Sequence, residues 1–71
     1  MPLLSNMELR GALLNARESV ITVLRSRFGE VPTEFTETIN NIQDLFLLKQ
    51  LLSRAVTVNS LAEFQQFITV E

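Results

Sequence analysis

Glu34 and Glu37 are the nearest approach to a pair of carboxylates in this sequence. Three residues apart on a helix, they share a face, as general acid–base work would need. Acids in a first helical turn also complement the helix dipole, and that explanation suffices for both. The rest of the inventory is thin. There is no His to move protons near neutrality, no Cys to act as a nucleophile and no Tyr. Of the five serines, Ser5 and Ser60 have capping roles, and no basic side chain is placed to activate Ser19, Ser26 or Ser53. One Asp does not make a hard-metal cluster, and Gly11 and Gly29 form no phosphate loop. The expectation is a chain that is not an enzyme, with no catalytic residue, no cofactor and no metal.

Binding chemistry has more to work with. Arg10, Arg17, Arg25 and Arg27 lie in one stretch, with Glu8 and Glu18, so residues 6–28 carry +2. Residues 29–71 carry −4, from Lys49 and Arg54 against Glu30, Glu34, Glu37, Asp44, Glu63 and Glu71. The four arginines are the candidate nucleic-acid contacts. A helix-turn-helix reading of the last two helices fails on chemistry: Gln65 and Gln66 stand among Glu63 and Glu71, with no Lys or Arg after Arg54. For Arg10 and Arg17, seven apart on one stripe, the favoured role is to lay aliphatic stems over a protein interface with their charged ends wet. Arg25 and Arg27 suit the end of a helix, and Arg27 is placed to pair with a carboxylate such as Glu30.

The elements that position these residues are all helices. Ser5-Asn6-Met7-Glu8 is a capping box, and helical spacing then runs over about 6–28, to Phe28 and the C-terminal Gly29. This helix has two apolar seams: Leu9, Leu13, Ala16, Val20 and Val23, and beside it Leu14, Ile21, Leu24 and Phe28. Two seams imply two partners, one within the chain and one a second chain. The first seam, edged by Arg10 and Arg17, is the candidate interface, with Leu14 and Ile21 able to exchange roles with it. Pro32 suits the first position of a short helix over about 33–41, with Phe35, Ile39 and Ile42 on one face. Asp44 caps a strongly apolar helix over about 45–56, and Ser60-Leu61-Ala62-Glu63 opens a last helix over about 61–69. Phe46 and Phe67 point off their helices' apolar arcs and are candidates for an exposed patch.

Seventy-one residues make one domain, 1–71, and a body this small has little room to hide a 46 % hydrophobic load. Without Cys or His, neither disulfides nor the usual zinc ligands can brace it, which leaves tight helix packing or association. No basic leader with an apolar core opens the chain, and no stretch of about 18 apolar residues occurs. The expectation is a cytoplasmic all-α bundle, one long helix followed by three short ones, working as a homo-oligomer, a dimer for preference, or on another protein. Nucleic acid and membrane are not the expected partners.

Val23-Leu24-Arg25-Ser26-Arg27-Phe28-Gly29-Glu30-Val31-Pro32, then Ile39, a Leu-rich helix and Ser60-Leu61-Ala62-Glu63-Phe64, carry a resemblance. The pattern, over roughly Ala16 to Ile68, resembles a small helical domain of unknown function at the C-terminal end of bacterial proteins with a PD-(D/E)xK nuclease-like domain, the transposase-like, recombination-promoting nuclease group. The resemblance implies an accessory tail that dimerises its parent protein, or a stand-alone relic or fragment of one, and it carries no catalytic role to any residue here. The capped start at Ser5, where that domain has a polar, Gly-rich lead-in, points to an independent small protein or a trimmed one. The alternative function is an accessory DNA-binding domain of a mobile-element protein, using Arg10, Arg17, Arg25 and Arg27.

Overall fold

A computed structural model describes residues 6–68. It contains four helices and, among the described residues, no strand: α1 (Asn6–Phe28), α2 (Thr33–Asn40), α3 (Leu45–Thr57) and α4 (Leu61–Ile68). One long helix and three shorter ones form an all-α bundle, as the spacing of apolar residues requires. Ser5 lies outside the described residues, and so does the capping box it would complete. Residue 69, the expected end of the last helix, also lies outside.

The helix ends are fixed by local chemistry. Gly29 takes φ 87° and its N–H bonds the Arg25 carbonyl at 2.9 Å, which closes α1 with a left-handed cap that a side chain would strain. Pro32 is not the first residue of α2 but its N-cap, in extended conformation (φ −57°, ψ 147°), and its carbonyl accepts from Phe35 and Thr36. The proline ring leaves no side-chain acceptor to cap with, so the backbone carbonyl carries that end alone. At α3 the Asp44 carboxylate accepts from the Leu47 N–H at 3.2 Å. At α4 the Ser60 hydroxyl accepts from the Glu63 N–H at 3.1 Å. The Glu63 carboxylate reaches back one residue further than a standard capping box, to the Asn59 N–H at 2.7 Å.

The core forms where all four helices meet. It takes Leu13, Val20 and Leu24 from α1, Phe35 and Ile39 from α2, Leu48, Leu51 and Ala55 from α3, and Phe64 from α4, with Val58 beneath the α3–α4 turn. Val20 and Leu24 are fully buried, yet they were assigned to different seams. The inward direction of α1 therefore runs between the seams, and each seam flanks it. α3 packs along α1, and α2 closes the other flank, where Thr36 and Asn40 face Leu14, Ile21 and Arg25 across a groove. α2 is thus a neighbour of the second seam on this side, with Ile21 half-buried and Leu14 still 58 % exposed. α2 and α4 meet through the offset-stacked rings of Phe35 and Phe64, 6.5 Å between centroids and 24° between planes.

Two fixed points give the sense of α3. The Arg17 side chain reaches Ile42, just before α3 begins, and Arg27 reaches Ala55 and Val58, where it ends. α1 and α3 therefore run in the same direction, with α2 as the crossover between them. The opening turns of α1 lie beyond the level of Arg17 and Ile42, on the side away from Arg27. The first buried residue of α1 is Leu13; residues 6–11 are all exposed. A projecting helix end enlarges the molecule slightly: the radius of gyration is 12.3 Å, where a chain of this length packed as a sphere-like domain has about 11 Å.

Replacing Leu24 by Ala should destabilise the fold by about 2–5 kcal/mol, because the site is closed on all sides and cannot collapse on the space left. Chemical denaturation reads this directly. Gly29→Ala should cost about 1 kcal/mol through its positive φ alone, since nothing lies within 4 Å of where a Cβ would sit.

Candidate functional site

The arginines of α1 divide into two kinds. Arg17 donates from Nε at 3.0 Å and from Nη2 at 2.6 Å to the Ile42 carbonyl. Arg27 donates from one amino nitrogen to the Ala55 carbonyl at 2.8 Å and the Val58 carbonyl at 2.6 Å, the carbonyls left open where α3 stops. Its guanidinium also lies 4.7 Å from the centroid of the Phe28 ring, over which it is packed. The expected partner Glu30 is not what Arg27 meets, and the charged end of Arg17 is not left in water. Both expectations fail for one reason: each guanidinium reaches unspent backbone carbonyls, Ile42 in the turn between α2 and α3, and Ala55 and Val58 where α3 ends. Arg10 and Arg25, by contrast, make no hydrogen bond or ion pair among the described residues. Of the four candidate nucleic-acid contacts, two are thereby engaged inside the fold.

The candidate interface divides in the same way. Leu13 and Val20 lie in the chain's own core, and Ala16 and Val23 are half-buried against it. These four positions are occupied by intramolecular packing, because α3 lies along this side of α1. Leu9 stays 38 % exposed, and Arg10 is exposed beside it. From the other seam, Leu14 is 58 % exposed while Ile21 is half-buried. Met7, which neither seam included, is 85 % exposed. Met7, Leu14 and Ile21 recur every seven residues, a signal present in the sequence that extends the second seam back by one step. The free apolar surface of α1 is thus its projecting end: Met7, Leu9 and Leu14.

A groove of about 480 Å³ runs along this end, lined by Asn6, Leu9, Arg10, Leu13, Leu14 and Arg17 of α1 with Gln43 from the α2–α3 turn. Around the helix Arg10 and Arg17 lie within about 20° of each other, with Leu9 and Leu13 on one side of them and Leu14 on the other. A second groove, about 420 Å³, lies between α3 and α4, where the Arg54 guanidinium sits 4.7 Å from the Phe67 ring centroid. That stacking makes Phe67 half-buried, so of the two off-arc aromatics only Phe46, 70 % exposed, is a free surface ring.

The catalytic candidates come together with nothing. Glu34 and Glu37 are exposed on α2, and Ser26 and Ser53 are exposed on separate helices. Among the described residues no group of three or more His, Cys, Asp or Glu could hold a metal ion, and no helix is long and apolar enough to cross a membrane. No family model, curated protein or solved structure matches the chain.

Arg27→Met should lower stability by about 1–3 kcal/mol, since it keeps the aliphatic stem but leaves two carbonyls without their charged donor. Arg25→Met, one turn from no such acceptor, should change stability by less than about 0.5 kcal/mol. Thermal unfolding of the pair separates the two kinds of arginine.

Proposed function

We propose that this domain is a non-enzymatic protein-interaction module, with self-association as its first form, and that its contact surface is the projecting end of α1. One observation carries the reading: Met7 and Leu9 are exposed on the opening turns of α1, where residues 6–11 are all exposed, and Leu14 is exposed just beyond them. A helix that continues beyond its own domain while still presenting apolar side chains loses free energy by leaving them wet, at about 25 cal/mol for each Å². Contact with a second protein surface recovers it. The thin side-chain inventory and the scattered carboxylates support a role without catalysis. Two of the four arginines are engaged on α3, which leaves too few cations on one face for the DNA-binding alternative. The place of such a module as an accessory tail of a nuclease- or transposase-like protein in the cytoplasm rests on the resemblance carried by residues 23–32 and 60–64.

The interface this reading predicts is Met7, Leu9, Leu14 and Arg10, in place of Leu13, Ala16, Val20 and Val23. Light scattering over a concentration series should show a dimer or larger species. Leu14→Glu should reduce it to a monomer with an unchanged unfolding midpoint, because Leu14 contributes little to the core. A wild-type chain that stays monomeric at high concentration removes self-association, and an assembly that survives Leu14→Glu moves the interface elsewhere.

A further inference from the structure

The groove along the projecting end of α1 carries charge of one sign. Arg10 and Arg17 line it, and no carboxylate does. The acids of the same helix point elsewhere: at 100° per residue, Glu18 lies about 100° around the helix from Arg17, and Glu8 about 160° from Arg10. This is a local reversal in a chain of net charge −2. The two arginines also differ in readiness. Arg17 is held in place by the Ile42 carbonyl through Nε and Nη2, and Arg10 has no partner among the described residues. Neither of the other grooves combines these features: the one between α1 and α2 includes Glu18 among its walls, and the one between α3 and α4 has a single arginine, stacked on Phe67.

We propose that the occupant of this groove is an amphipathic segment of another protein, with apolar side chains on Leu9 and Leu14 and carboxylates toward Arg10 and Arg17 between them. The proposal rests on the reading that the free end of α1 binds protein, and adds the chemistry of what it binds. Self-association through Met7, Leu9 and Leu14 has to keep the two copies of Arg10 and Arg17 apart, since a second copy laid symmetrically in the groove would set them against their own images. An anionic membrane or a nucleic acid would meet the same charge, but two arginines fall short of the roughly 4–8 basic residues that bind anionic lipid. The leucines on either side of the arginines offer nothing to a phosphate backbone. A carboxylate-bearing helix uses both parts of the site, the leucines for its apolar side chains and the arginine stripe between them for its acids.

The test uses the full chain, labelled with ¹⁵N, and two peptides: a short helix with Leu at one-turn intervals flanked by Glu, and its twin with Lys in place of every Glu. The acidic peptide should shift the amide resonances of Leu9, Arg10, Leu13 and Leu14, and the Lys twin should not. Arg10→Glu should weaken the acidic peptide about tenfold, while Arg25→Glu leaves it unchanged. Both arginines are exposed, so unchanged unfolding midpoints confirm that the variants fold. Equal shifts from both peptides, shifts confined to another face, or no shift at saturating peptide would overturn the proposal. So would a response to phosphatidylserine vesicles or duplex DNA in place of the acidic peptide. A chain that self-associates through Leu14 yet ignores the acidic peptide keeps the interaction module and loses this occupant. Peptide binding by a strictly monomeric chain does the reverse to self-association.

Discussion

Helix nucleation sets the terms for this fold. An isolated helix in water is marginal below about 12–15 residues, because the first turn fixes several residues for one hydrogen bond. α2 and α4 have eight residues each and α3 has thirteen. None of the three has the length to stand alone, so each is helical because it is packed. α1, at twenty-three residues, is the only element that approaches self-sufficiency, and it provides the surface on which α2 and α3 order. α4 is one step further removed, attached through Phe64 to the ring of Phe35 and through Phe67 to Arg54. The bundle is a hierarchy that starts at Leu24 and Val20.

Packing short helices creates many helix ends, and every end exposes backbone groups that need partners. The chain answers at two levels. Locally, Asp44, Ser60 and the Gly29 turn satisfy their own helices. Across the fold, Arg17 and Arg27 take the carbonyls before and after α3, so the helix is held at both ends by side chains from its neighbour. A charged donor with several N–H groups serves here where a neutral side chain would leave an acceptor unmet. The outcome is a core with no buried polar side-chain atom left without a partner among the described residues.

The local level was legible in the sequence. Asp44, Gly29 and Ser60 were readable because a cap depends on residues within four positions of each other, and the four helices follow from caps and spacing together. The tertiary level was not. Arg17 and Ile42 are 25 residues apart, and Arg27 and Val58 are 31 apart. The apolar arc of α1 pointed to two partners, but a helical wheel gives a direction and not an occupant, and within the chain α3 and α2 flank an inward direction that runs between the two seams. A comparison of lengths held the missing clue. A helix of about 34 Å cannot be covered by one of about 20 Å. Part of α1 had to run free, and the exposed run 6–11, with Met7 and Leu9, marks which part.

The same helix therefore lives under two regimes. From Leu13 onward its backbone is tied to the core, and its amide protons exchange only when much of the bundle opens. Before Leu13 the backbone bonds face water on nearly every side, so those turns unwind and reform without disturbing Val20 or Leu24. An event at the free end is in this way insulated from the stability of the rest. Side chains there are open to change in sequence at little cost to folding, and any partner that settles on these turns must also meet the entropy of keeping them wound.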